Sequence, residues 1–74
     1  MIYDYSKLKG RIIEKCGSQN AFAKAMGLSE RSISLRLNNR LYFKQSEIDD
    51  ALKILELDDC DIMPYFFTKA VQRN

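Results

Sequence analysis

Four residues within the stretch SERSISLRLNN, residues 29–39, carry side chains suited to recognition. Arg31, Ser34, Leu35 and Asn38 fall at i, i+3, i+4 and i+7, so on a helix they share one face. That face offers a cation, a hydroxyl, an unmasked leucine and an amide, which together are hydrogen-bonding groups around an apolar spot. Ile33 and Leu37, four apart, occupy nearly the opposite face and require a core. One helix thus reads as half packing surface and half contact surface.

Catalytic chemistry finds little support elsewhere in the chain. There is no histidine, and the two cysteines, Cys16 and Cys60, form no C-x-x-C pair, so zinc lacks its usual ligands. No glycine-rich phosphate loop occurs. Asp58, Asp59 and Asp61 are close in sequence but read as helix-start residues, which the helix dipole favours. A chain of 74 residues forms one small domain with a thin core, burying about 60% of the surface of its unfolded form. Such a core leaves scant room for a substrate pocket. The expectation is a binding protein, not an enzyme, with no cofactor and no metal. The apolar runs are only a few residues long and no basic-then-apolar signal opens the sequence, so a cytoplasmic location is expected. Both cysteines then read as reduced thiols, and Cys16 as core packing.

The net charge of +2 conceals a split. Residues 1–44 carry nine Lys or Arg against three Asp or Glu, whereas residues 45–74 carry three against seven. An asymmetry of this kind fits one face turned to a polyanion and another turned away from it.

The elements that must position these groups are helical, because nearly the whole chain reads with a period near 3.6. Tyr5, Leu8, Ile12 and Cys16 form an apolar stripe closed by Gly17. A second helix follows the N-cap Ser18 and runs to Met26, with Phe22, Ala23 and Met26 inward and Gly27 at its end. Ser29 caps the third helix, and Asn38 and Asn39 suit its C-terminus. Residues 39–45 form a loop. A fourth helix starts near Ser46, with Ile48, Ala51, Leu52 and Leu55 as its stripe, and a short fifth follows with Asp58 as cap and Asp61 at N3. Pro64 falls too late for the first turn of that helix, so a kink or a new turn is expected there. Residues 65–71, YFFTKAV, fit either a docking tail or a short strand. The fold class is all-α, a compact bundle of about five short helices forming one domain over residues 1–74.

Two short helices joined by a tight glycine turn, residues 18–38, have the outline of a helix-turn-helix. Gln19, Ala23, Gly27, Ile33 and Asn38 fall where the helix-turn-helix of phage repressors and Cro proteins places its own residues. The chain resembles the lambda-repressor-like family over roughly residues 5–63, and looks closest to the small Cro-like or Xre-type regulators of Gram-positive phages and prophages. Those regulators often carry a stretch like ISLRLNN followed by an aromatic and SEI, here Phe43 and Ser46–Glu47–Ile48. The sequence departs from the pattern at Arg36, where many members bury an apolar residue, and the apolar position moves to Leu37.

The resemblance implies a sequence-specific DNA-binding transcriptional regulator of the bacterial host cytoplasm, acting on double-stranded operator DNA. With Ile33 and Leu37 packed inward, the base-reading set in the major groove would be Glu30, Arg31, Ser34 and Leu35. Arg31 would meet guanine O6 and N7, Leu35 a thymine methyl, Ser34 a base edge or a phosphate, and Glu30 cytosine N4 or its own helix terminus. The backbone-contacting set would be Ser18, Gln19, Asn38, Arg40 and Lys44. Repression would be steric, by a homodimer on half-sites about 34 Å apart. Residues 64–74 would supply the dimer surface or else close the monomer's own core. The alternative is an antirepressor that grasps a partner phage repressor through protein–protein contacts, using the acidic run from Glu47 to Asp61 and the apolar tail.

Overall fold

A computed structural model describes residues 2–70. Five α-helices follow one another: α1 (Ser6–Cys16), α2 (Gln19–Met26), α3 (Glu30–Leu37), α4 (Gln45–Ile54) and α5 (Ile62–Phe66), with a 3₁₀ turn at Asp59–Asp61 leading into the last. The all-α reading holds, and local sequence explains most of the boundaries. Ser18 and Ser29 accept hydrogen bonds from the backbone N–H of Ala21 and Ser32, at 3.0 and 3.1 Å, and so satisfy donors that open helices leave free. Gly17 and Gly27 end α1 and α2 with φ of 87° and 73°, in the left-handed region where a Cβ would be strained. α1 begins with a cap not anticipated from the sequence, since the Asp4 carboxylate accepts from the Ser6 backbone N–H at 2.9 Å.

α2 lies centrally, packed on α1, α3 and α4, while α5 closes the bundle against α1 and α4. Leu8, Ile12, Phe22, Ala23, Ile33, Ala51, Leu55 and Phe66 are fully or nearly fully buried. Cys16 and Met26 pack at the edge of this core.

Three expectations are refined by the structure. The fourth helix starts one residue early, at Gln45, with Lys44 as its N-cap. Lysine has no acceptor, so the cap is one-sided: the Glu47 carboxylate reaches back to the Lys44 N–H at 2.8 Å. At Pro64 the chain makes a new turn. α5 restarts at Ile62 after the 3₁₀ segment, which leaves the proline in a first turn where its missing N–H costs no helical bond. In the tail, Phe66 is buried in the core, and residues 68–70 run antiparallel to residues 2–4 through an isolated bridge between Tyr3 and Lys69. Phe66 therefore closes the monomer's own core, while Phe67 and residues 68–70 stay exposed; the rest of the expected tail, 71–74, lies outside the described residues.

Arg36 resolves the departure seen in the sequence. It is buried, and its guanidinium forms a two-pronged pair with Glu47, Nε to Oε1 and Nη2 to Oε2, both at 3.0 Å. Its Nη1 donates to the Ser32 carbonyl at 2.9 Å and to the Ser32 hydroxyl. An ion pair thus replaces an apolar contact between α3 and α4, with every charged group satisfied internally. Burial by itself would raise the Glu47 carboxyl, but the Arg36 donors and the Lys44 N–H outweigh it and hold the group below its ordinary value.

Candidate functional site

α3 is oriented as its pattern predicts. Ile33 and Leu37 are buried, Glu30, Arg31 and Asn38 are exposed, and Ser34 and Leu35 are half-buried. The structure therefore gathers Arg31, Ser34, Leu35 and Asn38 on one outward face. Much of its hydrogen-bonding capacity is already engaged within the chain. The Asn38 amide donates to the Ser34 carbonyl at 2.8 Å and to the Ser34 hydroxyl at 3.2 Å. The Leu35 carbonyl accepts from the N–H groups of Arg40 and Leu41, at 2.8 and 3.2 Å. Ser18 and Gln19 stand at the start of a different helix, the former exposed and occupied as a cap, the latter half-buried. Arg40 and Lys44 are exposed at the two ends of the loop before α4. Among the described residues, Arg31 and Arg40 have no carboxylate partner.

A second feature is more pronounced and was missed in the sequence. Next to that loop the surface opens into a depression of about 210 Å3, with Tyr5, Phe43, Ile48 and Phe66 beneath and Tyr3, Tyr42 and Phe67 around it. It continues past Phe43, Ile48 and Phe67 into a hollow of about 330 Å3 edged by Gln45, Asp49 and Ile62. The rings meet edge to face: Tyr3 with Phe67 at 5.7 Å, Tyr5 with Phe43 at 5.7 Å and Phe43 with Phe66 at 5.4 Å between centroids. Four separate segments build this cleft: the N-terminal residues, the loop after α3, the start of α4 and the end of α5. Ile48 in the core and Phe43 packed against it are also its walls. Tyr42 is 73% exposed, so it does not pack under its loop.

One large apolar wall of the cleft is in the open, and others are exposed close to it in sequence. Phe67 is 37% exposed, and Ile2 and Met63 are well exposed nearby in the chain. Exposed aromatics set around a concave apolar floor fit a protein contact surface, where such side chains serve as anchors. The sequence does hold a signal for it: Tyr42–Phe43 and Phe66–Phe67 are adjacent aromatic pairs. Neighbouring residues point in different directions, so when one member packs inward the other is pushed out. The structure shows this for Phe66, buried, and Phe67, open.

Asp58, Cys60 and Asp61 bring three ligand-type atoms within 4.8 Å of one another at the 3₁₀ turn. The Asp61 carboxylate already accepts from the Asp58 N–H at 2.9 Å, which gives the cluster a helix-start role. No helix among the described residues is long and apolar enough to cross a membrane.

The solution structure of the modulator of repression (MOR) of the temperate bacteriophage TP901-1 from Lactococcus lactis is similar to this chain, with a TM-score of 0.81 and 54% sequence identity over 97% of each chain. No curated protein matches. The similarity corrects two expectations: kinship with Cro-type repressors, and the function of a DNA-binding repressor on operator DNA that followed from it. The physical reason is that a helix-turn-helix outline is a way of packing two helices, and its caps, glycine turn and buried isoleucine serve that packing whatever the outward face does. The DNA roles of Glu30, Arg31, Ser34, Leu35, Ser18, Gln19, Asn38, Arg40 and Lys44 rested on the repressor reading, as did the homodimer on a palindrome. The temperate-phage setting agrees with the sequence reading. A family model described as a protein of unknown function (DUF739) matches residues 1–69, and the chain belongs to that family.

Proposed function

We propose that this protein modulates repression in a temperate phage by binding the phage's DNA-binding repressor, as a protein–protein partner and not an enzyme. It would act in the host cytoplasm, where that repressor works. The observation that carries the reading is the 54% identity, over nearly the whole of both chains, to a modulator of repression. The aromatic cleft supports it as the docking surface. Tyr42 and Phe67 are large, exposed and rigid, and the apolar floor between them accepts an anchoring side chain. Asp49 edges the cleft and Asp50 is exposed beside it on α4, so a partner segment with an apolar anchor and basic flanks is complementary.

The test is titration of the purified chain with the DNA-binding repressor of the same phage, read by calorimetry, in parallel with gel shifts on operator DNA. The expected result is saturable binding to the repressor, a changed repressor–operator shift when both proteins are present, and no shift from this chain alone. A specific operator footprint from this chain alone, without measurable binding to the repressor, would refute the reading.

A further inference from the structure

We propose that Asn39 is a positioning residue that fixes the rim of the docking cleft through the backbone of Tyr3. The inference rests on the function proposed above and assigns a role to a residue outside the cleft itself. Asn39 has φ of 63°, in the left-handed region that asparagine tolerates better than most residues. This turn aims its side chain at the N-terminal segment. Its Oδ1 accepts from the Tyr3 N–H at 2.9 Å, and its Nδ2 donates to the Tyr3 carbonyl at 3.0 Å. One amide thus satisfies both polar groups of a single extended residue, as a neighbouring strand would.

The opposite edge of the same segment is paired with the C-terminal residues. The Asp4 N–H donates to the Thr68 carbonyl at 2.7 Å, and the Ala70 N–H to the Ile2 carbonyl at 3.0 Å. The Asn39 amide therefore completes a three-part ladder: the loop after α3, the N-terminal segment and the C-terminal segment. Each part delivers a ring to the cleft, namely Tyr42, Tyr3 and Phe67. Tyr3 stands in the middle, its ring edge-on to Phe67. Tyr3 packs on the edge of the core, whose fully enclosed members begin with Tyr5 and Leu8, and the Asn39 amide touches only its backbone. Asn39 accordingly acts on the shape of the cleft more than on the stability of the bundle. A rim held in place before binding spares the complex the ordering of its own anchors.

Asn39→Gly tests this, because glycine keeps the positive φ without strain and removes only the amide. Helical content and thermal midpoint should stay close to wild type. The amides of Tyr3, Asp4 and Ala70 should exchange with solvent faster, while those of Ile12 and Ala51 are unchanged. Affinity for the phage repressor should fall roughly fivefold to tenfold. A double-mutant cycle with Tyr3→Ala separates positioning from a general structural effect: in that background Asn39→Gly should cost no further affinity. Additive losses, or affinity within twofold of wild type, would overturn the proposal. If the wild-type chain fails to bind repressor, the proposed function falls, and the exchange pattern still decides whether Asn39 fixes the rim.

Discussion

The α3 face and the aromatic cleft lie on either side of one loop, residues 38–44, and they treat their side chains in opposite ways. On α3 the polar groups turn back on the chain: Asn38 bonds Ser34, and Arg36 bonds Glu47 and Ser32. In the cleft three aromatic pairs meet edge to face, a fourth is tilted, and Tyr42 and Phe67 are left open to solvent. The first region is a polar face partly engaged within the monomer; the second has apolar area still to bury. What distinguishes a contact surface from a scaffold here is that unmet burial, and a mixed polar face at helical spacing was a poorer guide to it.

Four changes probe this contrast. The largest effect is expected from Arg36→Ala, which leaves Glu47 enclosed without its partner and should cost about 3 kcal/mol of stability in urea unfolding. An outcome near zero would mean that the pair is solvated and that α3 is less tied to α4 than its geometry indicates. Next, Tyr42→Ala combined with Phe67→Ala should weaken repressor binding by about 2 kcal/mol, roughly thirtyfold, with an almost unchanged thermal midpoint. Retained affinity would move the contact away from the cleft. A smaller effect follows from acid. The folded Glu47 carboxyl lies below its ordinary value of 4.5, so its contribution is present above that value and is lost as pH falls through the lowered one. Unfolding midpoints measured between pH 6 and 3 should decline at the acid end, and less steeply in Glu47→Gln once that variant's lower baseline is set aside. The smallest is Arg31→Ala on the outward face of α3, expected within about 0.5 kcal/mol of wild type in stability. Its cost in repressor affinity should be well below that of the cleft double variant; an equal or greater cost would make α3 part of the contact.

The fold was legible because its signals are local. Ser18, Gly27 and Ser29 announce helix ends through chemistry confined to one turn, and Ile33 with Leu37 names the inward face of α3 without reference to the rest of the chain. Arg36 was harder: its partner Glu47 lies beyond the loop, and spacing alone does not reveal a pair between two helices. The cleft was hardest, since residues as distant as Tyr3, Tyr42 and Phe67 converge only through tertiary packing and the backbone bonds of the two terminal segments. The outward face of α3 was read correctly as outward and then given a DNA ligand, because the motif around it resembles one used on DNA. A packing arrangement does not specify what its exposed side meets.

The Tyr3–Lys69 bridge sets the first and last described residues side by side. A short linker across this gap would join them, and a new chain opening cut at the exposed Asp58 would leave every helix intact, so a circularly rearranged version should fold. The same closeness bears on handling the protein. Anything joined directly before Ile2 or directly after Ala70 would start beside Tyr3 and Phe67, where its bulk would register in an assay as poor partner recognition.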